Sequence, residues 1–192
     1  MPGLVRPVND ERDGLLQFLA QQRDGIKVTA FGLTDDEARL TPSASVLSVG
    51  GLIKHAMVME QGWIDMVSGT YGQRPGMDDY EGNFRLGPEE TVAGLFTRFD
   101  ETAAETEAVI AGIADLGQAV PVPKGVPWFP DDVDSWSVRW VLLHLIEEIS
   151  RHAGHADIVR ESLDGATMHP LMAAAEGWPA SPWMQPWQRR AG

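Results

Sequence analysis

Leu143-His144-Leu145-Ile146-Glu147-Glu148-Ile149-Ser150-Arg151-His152-Ala153-Gly154-His155 is the stretch against which the rest of the chain is read. At about 100° of rotation per residue, a helix gathers His144, Glu148, His152 and His155 within an arc of roughly 80°. Glu148 and His152 stand one turn apart, the i, i+4 spacing at which two side chains can grip one ion. Leu142, Leu145, Ile146 and Ile149 flank the stripe, so it faces an interior and not open water. Burying Glu148 without a partner would be costly, so pairing or coordination is expected.

Working outward, the apolar period and its punctuation place four helices. Asn9 caps a first one to about Thr29, with Leu15, Leu16, Leu19 and Ile26 apolar. Thr34-Asp35-Asp36-Glu37 offers a capping box for one short turn. Ser48 caps a second helix to about Val67, closed by Ser68-Gly69. Gly87-Pro88-Glu89-Glu90 reads as a third start, with proline at the first helical position and acids at the positive end of the dipole. That helix runs to about Ala114. Ser135 or Ser137 opens the fourth, which continues to about Leu163.

Between them, residues 70–86 read as a long crossover loop. Residues 115–134 hold four prolines around Trp128 and Phe129, a composition that suits a lid or pocket wall. Residues 166–192, with Trp178, Trp183 and Trp187 among prolines, read as an irregular strap. The expectation is all-α: a single four-helix-bundle domain over 1–192, with no strand and no repeat.

At 192 residues the chain can bury one sizeable core. Net charge is −13 with no basic cluster, which argues against nucleic acid and against anionic membrane surfaces. No apolar run reaches about 18 residues and no signal peptide is evident, so a cytoplasmic location is expected. Cysteine is absent, which excludes disulfides, thiolate ligands and a cysteine nucleophile. A metal must be held by His, Asp or Glu, and thiol chemistry must use a thiol from outside. Arginine outnumbers lysine 12 to 3, a hint of a GC-rich genome.

His55 stands apart from the other histidines, on the face of the second helix that carries Leu52, Met59 and Trp63. A core histidine bonded to a carbonyl is one reading of it. One ion held by His55, Glu148 and His152 would serve all three, leaving positions open for water or substrate as in catalytic zinc sites. Imidazole and carboxylate without sulfur also suit nickel, iron or manganese. The alternative pairs Glu148 with Arg151 or Arg139 on the helix surface. His144 and His155 are candidates for proton transfer or for orienting the ligands. His169 reads as solvated. Trp63 and Trp128 are candidates to line a pocket, and Arg139 and Arg151 to clamp an anion.

Two signatures resemble the DinB superfamily of four-helix-bundle metalloproteins. One is Ser48-Val49-Gly50-Gly51-Leu52-Ile53-Lys54-His55 with Glu60 and Trp63 downstream; the other is His144 to Asp157, continuing to Arg160-Glu161. The resemblance implies metal ligation by His55, Glu148 and His152. Many members carry histidine at the position of Glu148. The His/Glu/His version is similar to the metal-binding domain of mycothiol-dependent maleylpyruvate isomerase and related thiol S-transferases, though that isomerase has a C-terminal domain where this chain has a Trp-rich tail. The implied activity is transfer of a low-molecular-weight thiol such as mycothiol to a small electrophile through a metal-bound thiolate, with zinc as first choice and nickel as second. Alternatives are hydrolysis at the same metal or a non-catalytic stress-related metal-binding protein. The resemblance also implies a homodimer.

Overall fold

The computed structural model describes residues 3–73 and 81–189. Four long helices build it: α1 (Glu11–Val28), α3 (Val49–Ser68), α4 (Val92–Gly112) and α5 (Val138–Asp164). Two short ones, α2 (Asp35–Arg39) and α6 (Met168–Ala175), complete an all-α helical bundle. Side-chain oxygens set where the long helices begin, because each accepts a backbone N–H that no helical carbonyl can reach. Asp10 accepts from Asp13, Ser48 from Gly51, Thr91 from Gly94 and Ser137 from Trp140. Thr34 and Glu37 form the reciprocal box expected at α2.

α1 has its largest interface with α5, which also packs on α3, while α4 lies against α3 and α1. The core runs through fully buried Leu19 and Ile26 on α1, Leu52 and Ile53 on α3, Phe99 on α4 and Leu142, Leu145 and Ile149 on α5. One ion pair is sealed inside it. Arg23 of α1 donates to both oxygens of Glu60 of α3, at 3.0 and 2.6 Å, and Thr106 of α4 donates to the same carboxylate at 2.6 Å. Among the described residues, no helix is long and apolar enough to cross a membrane.

Four expectations need correction. The first helix is capped by Asp10 instead of Asn9. α4 starts at Val92, not Pro88, because the Glu90 carboxylate folds back onto the Gly87 N–H and pairs with Lys54 and Arg98, leaving Thr91 to cap. A short antiparallel pair exists, β1 (Ala119–Pro121) with β2 (Ser135–Ser137), Val120 opposite Trp136. Its ladder runs on into α5, where Gln118 and Leu116 carbonyls accept from Val138 and Arg139. The tail is not wholly irregular: α6 lies within it. Beyond α6, Trp187 covers Gly32 (φ 73°) and the guanidinium of fully buried Arg160, which donates to the Thr29 and Phe31 carbonyls. Part of the expected crossover loop, residues 74–80, lies outside the described residues.

Candidate metal centre

His55 is carried by the second turn of α3, and Glu148 and His152 by successive turns of α5. The two helices pack so that one ligand-type atom from each residue lies within 4.8 Å of the others. His152 Nε2 is 3.4 Å from Glu148 Oε2, with side-chain exposures of 13% and 28%. The other imidazole nitrogen of His152, Nδ1, is buried with no hydrogen-bond partner. Buried polar atoms are rarely left so.

Burial, with His152 alongside, holds His55 down at about 3. His152 is also held below its ordinary value, burial outweighing the pull of Glu148. Both rings are therefore neutral at physiological pH, the protonation state in which imidazole ligates a metal. Two neutral imidazoles and a carboxylate converging on one point are the donor set of an open divalent-metal site. The residues fit such an ion.

Aromatic rings wall the cluster. Phe84, from a 3-10 turn at Gly82–Phe84, stacks on His55 with centroids 3.7 Å apart and planes 15° from parallel. That contact depends on Gly51, where an added Cβ would lie 1.9 Å from the Phe84 carbonyl oxygen. Above the cluster opens a cavity of about 520 Å³, lined by His55, Glu148 and His152, by Trp63, Trp128 and Phe129, and by further residues. Such a volume suits a small-molecule ligand.

The other candidates separate. His144 lines the cavity, with Nδ1 3.5 Å from Glu147 Oε2. His144, Glu147 and Glu148 also form a second group of ligand-type atoms within 4.8 Å of one another. His155 is exposed, its ring 5.8 Å from that of His152, and it is no part of the cavity wall. His169 is exposed on α6. Arg139 is held by Glu11 at 2.5 and 3.0 Å, whereas Arg151 lines the cavity. Trp63 and Trp128 both line it. Sequence reasoning missed Phe84, Trp136 and Trp140; the four-residue spacing of Trp136, Trp140 and His144 was the available signal.

A family model described as mycothiol-S-transferase matches residues 14–165, which include the whole cluster and stop short of α6. The chain belongs to the mycothiol-S-transferase family. Membership agrees with the DinB-like resemblance of the two histidine signatures. No curated protein matches the chain. A crystal structure titled as the conserved protein of locus from Enterococcus faecalis matches with a TM-score of 0.63 at 16% identity, over 83% of this chain and all of that one. At that identity the likeness speaks for the fold alone. Within the S-transferase family frame, α6 and the Trp187 strap lie beyond the matched span.

Proposed function

We propose that this family member transfers a low-molecular-weight thiol, mycothiol by family, to small electrophiles, and that His55, Glu148 and His152 hold a divalent metal for the purpose. The observation that carries the reading is the convergence of two neutral imidazoles and a carboxylate at the floor of the aromatic cavity. Zinc is the first candidate and nickel the second, since the N, O, N donor set accepts either. A divalent ion there supplies Lewis acidity, lowering the pKa of a bound thiol into the neutral range.

The chain's own residues do the rest. Glu148 offsets part of the ion's charge, and Phe84 and Trp63 keep bulk water from the cluster. His144 passes the thiol proton toward Glu147, whose side chain is 58% exposed, and so to solvent. The sulfur then attacks the electrophilic carbon, a C–S bond forming as the leaving group departs with its electron pair.

The test is elemental mass spectrometry on untagged protein beside His152→Ala, followed by thiol-dependent loss of monochlorobimane. About one equivalent of metal, lost in the variant together with conjugation, is the expected result. Conjugation that persists at full rate in metal-free protein would refute the reading.

A further inference from the structure

With 15 lysines and arginines against 28 acids, a cation in this chain readily finds a carboxylate. Among the described residues, every lysine and arginine but Arg151 has a carboxylate or backbone carbonyl as partner. Arg151 has neither. Its own helix offers two acids, Glu147 four residues before it and Glu148 three, spacings at which opposite charges meet. Both are engaged elsewhere. Glu147 lies 3.5 Å from His144, and Glu148 lies 3.4 Å from His152. Arg151 lines the cavity instead, and among the lining residues no other is a lysine or arginine. Burial chiefly holds His152 below its ordinary value, and the charges of His155 and Arg151 add to that against the pull of Glu148. The free guanidinium is therefore felt at the cluster itself.

We propose that Arg151 is the anion-binding residue of the cavity, and that the second substrate is a small electrophile carrying a carboxylate. The inference rests on the thiol-transfer reading and adds the class of electrophile. A guanidinium presents a planar fork of N–H donors that matches a carboxylate two bonds at a time. A phosphate matches the fork as well, but it carries close to two charges. Arg151 is a single cation with Glu147 and Glu148 on the turn before it, so a monoanion is the better match.

The chemistry balances for an acid bearing a leaving group beside its carboxylate. Sulfur bonds to the carbon next to the carboxylate, and the carbon–halogen bond breaks as halide leaves with its electron pair. The thiol proton passes to solvent. The carboxylate stays ionised throughout, so Arg151 holds substrate and product alike and acts by positioning the carbon in the cavity where the sulfur is presented.

Two matched pairs of probes test this, each differing only in charge. Metal-stripped protein is titrated with phenylacetate and with phenylacetamide, followed by tryptophan fluorescence, since Trp63, Trp136 and Trp140 line the cavity. The affinity ratio of acid to amide should be about fivefold smaller in Arg151→Gln than in the parent, the upper range for an exposed charge. Repulsion by Glu148 is common to parent and variant and cancels. Arg139→Gln, which removes the same charge outside the cavity, should leave the ratio unchanged, and Arg151→Lys should keep part of it. Metal-loaded protein is then assayed with thiol and chloroacetate or chloroacetamide. The ratio of kcat/KM values, acid over amide, should again fall about fivefold in Arg151→Gln. An unchanged ratio in either assay would overturn the proposal, as would an equal fall in Arg139→Gln. A loss shared equally by chloroacetate and chloroacetamide would assign Arg151 to the thiol and overturn it too. Conjugation of neither by the parent, with the phenylacetate ratio still dependent on Arg151, overturns the transfer reading and leaves the anion site standing.

Discussion

Replacing Glu60 by Gln tests what the buried ion pair contributes. Glu60 is fully buried and the Arg23 side chain only 4% exposed, so the substitution leaves a guanidinium inside the core facing a neutral amide. Removing one partner of such a pair costs about 3–5 kcal/mol. Glu107, 3.6 Å from Arg23 Nη1 but 57% exposed, offsets part of the stranded charge, which favours the lower figure, about 3 kcal/mol. At about 2–4 °C per kcal/mol for a chain of this size, the melting temperature should fall by about 6–12 °C. The paired change Arg23→Met with Glu60→Leu removes both charges and should come within about 1 kcal/mol of the parent. Urea unfolding of the parent, Arg23→Met, Glu60→Leu and the double variant gives the coupling energy directly. A Glu60→Gln loss below about 1 kcal/mol, or a double variant as unstable as the summed singles, would refute the account.

Gly51→Ala should be among the most damaging small substitutions, since the new methyl meets the Phe84 backbone at 1.9 Å. A loss of at least about 3 kcal/mol in urea unfolding is expected, with loss of metal as Phe84 is driven off His55; a benign variant would mean the 82–84 turn yields freely. Metal should remain bound through about pH 6, because burial keeps His55 neutral down to about 3, and be lost only further below. The metal-free protein should lose stability as pH falls from about 6.5 toward 3, where the unfolded chain takes up a proton the folded His55 refuses. Half the metal released by about pH 6 in equilibrium dialysis would count against the buried His55. Asp157 has a buried Oδ1 without a partner, and burial, with Glu161 nearby, raises its pKa to about 6. Its charge is therefore a penalty above about pH 6 that vanishes below about 3.8. Asp157→Asn should raise stability by about 1 kcal/mol at pH 8, discounted for partial exposure, and by little at pH 4; an equal gain at both would refute a charge effect.

The parts of the fold legible in the sequence were those specified locally. Ser48, Thr34 and Ser137 did what a polar residue before an apolar period does, and the i, i+4 spacing of Glu148 and His152 placed them together without knowledge of the fold. Misreadings arose where distant residues intervened. Pro88 and two acids look like a helix start, yet Lys54 from α3 and Arg98 from α4 bind Glu90 and hold that segment as a turn. The β1–β2 pair is only three residues long and includes Pro121, too little for a period to show. Phe84 gave no signal at all, since its role comes from Gly51, which lets two backbones touch. The cluster partner His55 was found by its apolar neighbours and the family signature. Of the rings around it, Phe84, Trp128 and Phe129 came from segments read as loops, whereas Trp63 and Trp140 came from helices.

The interface between α1 and α5 also sets a timetable. Roughly 110 residues separate the end of the first from the start of the second, so at about 5–20 residues per second α1 leaves the ribosome roughly 5–20 s before its main partner exists. Through that interval Leu19 and Ile26 have nothing of α5 to cover them, and contacts so distant in sequence also slow folding itself. His55 likewise waits for Glu148 and His152. The nascent chain thus has no complete set of the proposed ligands, and an ion held by all three would be loaded after synthesis has passed His152.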